Sequence, residues 1–429
     1  MCLKNKLFYI ISIIIFIYIF FSNLCYADEP VIYSESSILI DSNTGNILYE
    51  KNSNDLKYPA STTKILTAII AIENCSLDEN LTASSEAINS VKSGYTNAKI
   101  QVGEELSLED LLYALLLKSA NEAANVIAEH IGGSIENFAN MMNAKAIELG
   151  CTNTHFVNAN GVHDDNHYTT ANDLAKISRY CMQNDVFRKI ISCKEYTLPA
   201  TPQYPSEDRV LANTNSLMSE SSPYYYPYVF AGKTGFTTQA KNCLIAMGEK
   251  DGLELISVVL HAESTEDGRS ARYLDTINLF EYGYNNYKSS TIVEKNQVLK
   301  AVDVTTNSST EKLNLITKNK LAITLPNSEN AEISSENIEI DKNLSAPIQK
   351  NDVLGKVSYI VNGQTFSTDL VAEKDINLIQ TGENSYDNDS SINYMIFIYT
   401  FLILLFIRII ILIVKKFLSK NRGIKYLNP

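Results

Sequence analysis

The stretch Pro59-Ala60-Ser61-Thr62-Thr63-Lys64-Ile65-Leu66-Thr67-Ala68-Ile69-Ile70-Ala71-Ile72-Glu73 decides how the chain is read. Ile65, Ile69 and Ile72 recur at three- and four-residue spacings, the period of one helix face, which predicts a helix over 61–73. On a helix, residues three apart are neighbours, so the Ser61 hydroxyl and the Lys64 amine can meet. A serine hydroxyl is a poor nucleophile without a base. Lysine can serve as that base when burial and nearby cations lower its pKa, and Lys64 has Ile65, Leu66 and Ile69 around it. The positive end of the helix dipole also favours negative charge developing at Ser61. Taken alone, Ser61 reads more readily as an ordinary helix N-cap.

Working outward, Ser37 to Asp41 and Asn46 to Tyr49 alternate, with Asn43-Thr44-Gly45 between them, and predict a hairpin. Leu108 to Glu129 and Ile135 to Leu149 carry the helical period. Tyr196 to Pro227, rich in Pro, Ser, Asn and Tyr, reads as irregular. Strands then resume over Tyr228 to Gly235, Cys243 to Glu249 and Leu253 to His261, followed by a helix over Arg272 to Tyr282. Strands at both ends with helices between them imply an α/β fold whose one sheet is built from distant sequence.

Two more short motifs join the first: Ser119-Ala120-Asn121 after the apolar run Leu111 to Leu117, and Lys233-Thr234-Gly235 on an expected strand. Each is weak alone, and Ser119 or Asn121 could simply cap a helix. Together, in this order, they form the trio used by serine β-lactamases and penicillin-binding proteins. Ser119 can pass a proton towards a leaving amine, and Asn121 can bind Lys64 and a substrate amide. Lys233, helped by Thr234 or neighbouring hydroxyls, offers charge to a substrate carboxylate. Gly235 leaves room for a substrate backbone added along the strand.

Pro59 to Lys64, Ser119-Ala120-Asn121-Glu122-Ala123-Ala124, His167-Tyr168-Thr169-Thr170-Ala171 and Gly232-Lys233-Thr234-Gly235 resemble the low-molecular-mass penicillin-binding proteins, the serine-type D-alanyl-D-alanine carboxypeptidases. The likeness covers roughly residues 31–284. It implies an antiparallel sheet flanked by helices, and an acyl-enzyme reaction in which Ser61 attacks the bond between two D-alanines of a peptidoglycan stem peptide. It implies β-lactams as covalent inhibitors and no cofactor. It also implies an oxyanion hole at the backbone N–H groups of Ser61 and Phe236. Phe236 stands where some members carry His; the role needs only a backbone amide, so the expectation is altered rate or preference without loss of function. A DD-endopeptidase, a β-lactamase and a non-catalytic β-lactam sensor or wall-binding protein are the alternatives. No Glu-x-x-Leu-Asn stretch of the kind used for rapid deacylation lies between Asn121 and Lys233.

Both ends carry membrane signals. Lys4 and Lys6 precede an apolar run from Leu7 to Phe21, and residues 1–27 read as a secretory signal peptide, an uncleaved anchor being the alternative. Ile392 to Val414 is long and apolar enough to span a bilayer, and the basic tail 415–429 orients it with residues 28–390 outside the cell. The expected layout is a peptidase domain over 28–288, an all-β domain over 289–378 marked by the Val361-Asn362-Gly363-Gln364 hairpin turn, a linker over 379–391 and the membrane helix.

The 36 Lys and Arg against 49 Asp and Glu give a formal charge of -13, which supplies no basic field for nucleic acid. Five cysteines remain after residue 27, with no C-x-x-C pair and no Cys/His cluster, so buried free thiols are expected and no metal. His155, His163 and His167 lack the helical spacing of a ligand pair.

Overall fold

The computed structural model describes residues 29–307, 309–341, 343–378 and 389–421. The expected signal segment, most of the 379–391 linker and the end of the basic tail lie outside the described residues. Two compact units are distinguished, one comprising residues up to 297 with 317–339 and 355–370, the other 298–316, 340–354 and 371 onwards.

The first unit is organised on a five-stranded antiparallel sheet. Its strands are β1 (Ser36–Asp41), β2 (Ile47–Lys51), β3 (Val229–Thr237), β4 (Lys241–Lys250) and β5 (Leu253–Ala262), in the order β2-β1-β5-β4-β3. The chain ends of this region therefore meet in one sheet, as the distribution of strand patterns implied. Turn chemistry sets the hairpins: Gly45 takes φ +80° between β1 and β2, and Asp251-Gly252 takes φ +53° and +78° between β4 and β5. Strand β3 lies at the sheet edge, with one side unpaired.

Alternation divides the strand residues between two cores. Ile38, Ile40, Ile245, Met247, Ile256 and Val258 face the helices α1 (Lys64–Asn74), α2 (Leu108–Leu116), α3 (Asn121–Gly132), α4 (Ile135–Glu148), α5 (Ala171–Met182) and α6 (Asp185–Ile191). Leu39, Leu244, Leu255 and Val259 face α7 (Ala271–Asn286), which adds Leu279 and Phe280. The centre of the first core is α1, buried from Lys64 to Ala71 because it is apolar on nearly every face. Each fully buried Ile or Leu there contributes about 1.5–3 kcal/mol.

Three local expectations need correction. The helix predicted to begin at Ser61 begins at Lys64; Ala60–Thr63 form a 3₁₀ turn, and Ser61 caps nothing. The helix predicted over 108–129 is two, broken where Ser119 adopts φ +63° and Ala120 N–H donates to Ala114 O at 3.0 Å. Helices α5 and α6 add to the expected elements; each is started by a side-chain cap, Thr170 Oγ1 accepting from Asp173 N–H and Asn184 Oδ1 from Val186 and Phe187 N–H.

Beyond α7 the chain is β-rich. Tyr287–Val293 pairs antiparallel with Leu321–Pro326, and Val298–Thr305 with Thr310–Thr317. The run expected over 292–304 is thus interrupted by the 294–297 turn. Val353–Val361 and Gln364–Ala372 flank Asn362-Gly363, at φ +48° and +79°, as the Asn-Gly signal predicted. A helix over Asp389–Asn421 closes the described chain; within it Ile398–Lys415 has a mean hydropathy of 2.6. Cys151, Cys181 and Cys243 are buried free thiols, whereas Cys75 and Cys193 are partly exposed.

Candidate active site

The 3₁₀ turn places Ser61 beside the first residue of α1. Lys64 Nζ lies 2.9 Å from Ser61 Oγ, 2.9 Å from Asn121 Oδ1 and 2.5 Å from the carbonyl oxygen of Asn160. Lys64 is wholly buried, and that burial, reinforced by the nearby Lys233 cation, holds its pKa well below the ordinary lysine value; Glu122 opposes the shift. An ammonium would donate to all three oxygens. A neutral amine has two N–H groups for the Asn121 and Asn160 oxygens, which aims its lone pair at the Ser61 hydroxyl.

Asn121 is in turn fixed by Nδ2 donating to Thr96 O at 2.9 Å, and its own N–H donates to the same oxygen at 3.0 Å. Asn160 is held by Nδ2 donating to Asn125 Oδ1 at 3.0 Å and by Oδ1 accepting from Val162 N–H at 2.9 Å. Glu122, the residue after Asn121, is buried with its carboxyl pKa raised by desolvation; its Oε1 accepts from Ala98 N–H at 2.6 Å and so ties down the segment carrying Thr96.

Two of the non-glycine residues at positive φ adjoin this group. Ala60 and Ser119 have φ +48° and +63°, conformations costly for residues with a Cβ. Gly161, at φ +79°, packs so tightly under Ala60 that a Cβ there would meet Ala60 O at 2.0 Å. Gly235 on β3 brings its backbone against the turn, where a Cβ would sit 3.0 Å from Pro59 O and 3.1 Å from Ser61 N. Thr63 Oγ1 is linked to His167 Nε2 at 2.9 Å, while His167 Nδ1 accepts from Val157 N–H; burial pushes this ring down to about 3, so it is neutral. His155 Nδ1 is bonded to Asn166 O. These two rings hold their loop together.

Ser61, Ser119, Asn121, Thr234, Gly235 and Phe236 all line one cleft of about 610 Å³, together with Thr96, Thr214 and Arg272. Of the eight residues expected from sequence, Lys64 and Lys233 lie beneath this wall, both without solvent exposure. Lys233 Nζ donates to Thr234 O at 3.0 Å, and burial plus the Arg272 cation bring its pKa down to about 7. The cation open to the cleft is Arg272, on the first turn of α7. Its Nη1 is 3.4 Å from Gly235 O and its Nη2 donates to Tyr273 Oη at 3.1 Å, while its buried Nε has no partner among the described residues. Thr214 and Thr234 hydroxyls meet at 2.7 Å beside it. Asn160, Thr214 and Arg272 were not singled out from sequence. Phe236 projects at the cleft mouth, 63% exposed.

Residues 24–264, more than half of the sequence, match the family described as D-alanyl-D-alanine carboxypeptidase. The chain belongs to that family. Members of the D-alanyl-D-alanine carboxypeptidase family include a Bacillus subtilis protein named D-alanyl-D-alanine carboxypeptidase DacF, 31% identical over 346 residues, 80% of this chain and 85% of the relative. Residues 287–378 match the domain described as penicillin-binding protein 5, C-terminal domain. The crystal structure of penicillin binding protein 5 from Haemophilus influenzae superposes with a TM-score of 0.59 at 26% identity, covering 82% of this chain and all of that one. An Escherichia coli protein of the same family, named D-alanyl-D-alanine endopeptidase, is 31% identical over 220 residues, 51% of this chain and 68% of the relative. The α/β domain followed by a β-rich C-terminal domain is thus the architecture shared with penicillin binding protein 5 from Haemophilus influenzae.

Proposed function

We propose that the chain is a serine-type D-Ala-D-Ala carboxypeptidase of the cell wall, and that Ser61, Lys64 and Ser119 carry its chemistry. The observation behind this is the wholly buried Lys64 amine 2.9 Å from the Ser61 hydroxyl, with two other oxygens fixing its orientation. Lys64 takes the Ser61 proton as Oγ attacks the carbonyl of the penultimate D-alanine. The backbone N–H groups of Ser61 and Phe236 receive the developing oxyanion. Collapse breaks the peptide bond, Ser119 relays the proton to the leaving amine, and free D-alanine departs. Water then hydrolyses the ester and restores Ser61.

The edge position of β3 lets the stem peptide add as a further strand, with Gly235 admitting its backbone. Thr214 and Thr234 hydroxyls and Arg272 receive the terminal carboxylate; Lys233 supports them from below, so the direct reading of the carboxylate shifts from Lys233, as expected from sequence, to Arg272. β-Lactams enter as acylating analogues of the D-Ala-D-Ala bond. The layout that accompanies this reading is a peptidase domain over 28–288, an all-β domain over 289–378, and an anchor over 392–414 that holds the catalytic domain on the outer face of the bacterial membrane. The apolar, unburied surface of residues 398–415 supports the anchor.

The deciding experiment incubates the protein with a peptide ending in D-Ala-D-Ala and with a cross-linked dimer lacking that terminus. Release of D-alanine from the first, with little cleavage of the second, is expected. Preferential cleavage of the cross-link would turn the assignment to the endopeptidase activity for which the E. coli relative is named.

A further inference from the structure

We propose that Cys75, Glu79 and His130 form a binding site for one divalent cation of the zinc class, remote from the serine cleft. Three donor types converge there. Glu79 Oε2 accepts from Cys75 Sγ at 3.2 Å, Glu79 Oε1 lies 2.8 Å from His130 Nε2, and all three donor atoms fall within 4.8 Å of one another. Thiolate, imidazole and carboxylate are the ligands zinc takes, at bond lengths of roughly 2.0–2.3 Å, which place tetrahedral ligands about 3.3–3.7 Å apart. The two hydrogen-bonded separations are slightly shorter than that and all lie within 4.8 Å, so side-chain rotations seat the ion.

The surroundings favour a cation. Cys75 is the C-cap of α1, and His130 lies in the last turn of α3, so two helix C-termini direct their negative ends at this spot. The Asp78 carboxylate adds to the same field, and it acts on Cys75. Cys75 is partly exposed and the other two residues are exposed, which gives an ion a path in and leaves the fourth position to water. Binding as thiolate sends the Cys75 S–H proton to solvent, and His130 coordinates through Nε2 with its proton on Nδ1.

The site joins the same two helices that meet at the catalytic centre. Their first residues are Lys64 and Asn121, in contact through Nζ and Oδ1 at 2.9 Å, and their far ends carry Cys75 and His130. A bound ion pins the far ends as the catalytic hydrogen bond pins the near ones.

The full chain in detergent is titrated with Co²⁺ and then Zn²⁺. One equivalent of Co²⁺ should produce a thiolate-to-cobalt charge-transfer absorption that one equivalent of Zn²⁺ removes. The band should vanish in Cys75→Ser and persist in Cys193→Ser, whose thiol is also partly exposed. His130→Ala should bind more weakly by at least the roughly 10–100-fold that loss of an outer-shell partner typically costs. Covalent labelling of each variant by benzylpenicillin reports that it is folded. A second readout needs no variant: Zn²⁺ should slow alkylation of Cys75 in the wild-type chain. An absent cobalt band, a band unchanged in Cys75→Ser, undiminished affinity in His130→Ala, or alkylation of Cys75 indifferent to Zn²⁺ each overturns the proposal.

Discussion

Replacing Arg272 with Gln tests how the cleft reads the end of its substrate. The guanidinium lines the cleft beside the Thr214–Thr234 hydroxyl pair, where its cationic fork can meet a terminal carboxylate. A hydrogen bond to a charged group contributes about 1.5–3 kcal/mol, so losing it should lower kcat/KM for a free-acid peptide by roughly 10–150-fold. An opposing effect works through Lys233: Arg272 is one of two causes holding that pKa down, so its removal lets Lys233 retain its proton and restores some positive potential beneath Thr234. The loss at neutral pH should fall in the lower part of that range. The assay is release of D-alanine from free-acid and C-terminally amidated peptides by both enzymes, treated as a double-mutant cycle. The amide should be a poor substrate for the wild-type enzyme and lose little more in the variant. Equal fold-losses on acid and amide would show that Arg272 does not meet the carboxylate.

Lys64→Arg should abolish acylation of Ser61 by benzylpenicillin, followed by intact-mass measurement, because Arg stays protonated and cannot accept the serine proton; near wild-type labelling would move the base elsewhere. Gly161→Ala should reduce acylation by more than about 100-fold, since its Cβ meets Ala60 O at 2.0 Å and φ is +79°, and the turn carrying Ser61 must shift; an unchanged rate would deny that the 150–170 loop fixes this turn. Lys233 predicts a pH effect on stability whose sign follows from its lowered pKa. Between about 7 and the unfolded value near 10.5, the native state binds fewer protons than the unfolded state, so this group's contribution to stability rises with pH. Lys233→Met should therefore gain most over wild type in urea unfolding at pH 6, with the advantage shrinking towards pH 9; a pH-independent difference would contradict a depressed Lys233 pKa.

The fold was legible wherever period and turn chemistry agreed. The β1–β2 and β4–β5 hairpins announce themselves through Gly45 and Asp251-Gly252, and the single sheet follows from strand patterns at both ends of the region. Helices α5 and α6 are short and lie outside the quoted apolar runs, although Thr170 with Asp173 and Asn184 with Asp185 carry ordinary start signals. The 108–129 segment shows the converse failure. Its apolar period is continuous enough to suggest one helix, yet Ser119 must leave helical geometry to reach the cleft, and no composition rule marks that departure.

That departure points to a general division within the site. Ser61, Lys64, Ser119, Asn121 and the Lys233–Phe236 segment were found because each belongs to a short motif on one element. Asn160, Thr214 and Arg272 belong to none; they come from two irregular segments and the first turn of α7, and tertiary packing brings them to the site. The Cys75, Glu79 and His130 group is hidden for the same reason, since 51 residues separate Glu79 from His130. Local rules also fail at Ala60 and Ser119, two of the residues with a Cβ held at positive φ. Strain of this kind persists only where the surrounding structure over-determines it, and both positions adjoin the proposed chemistry. At the 61–73 and 108–129 segments, the departure from the expected helix is what brings Ser61 and Ser119 to the cleft.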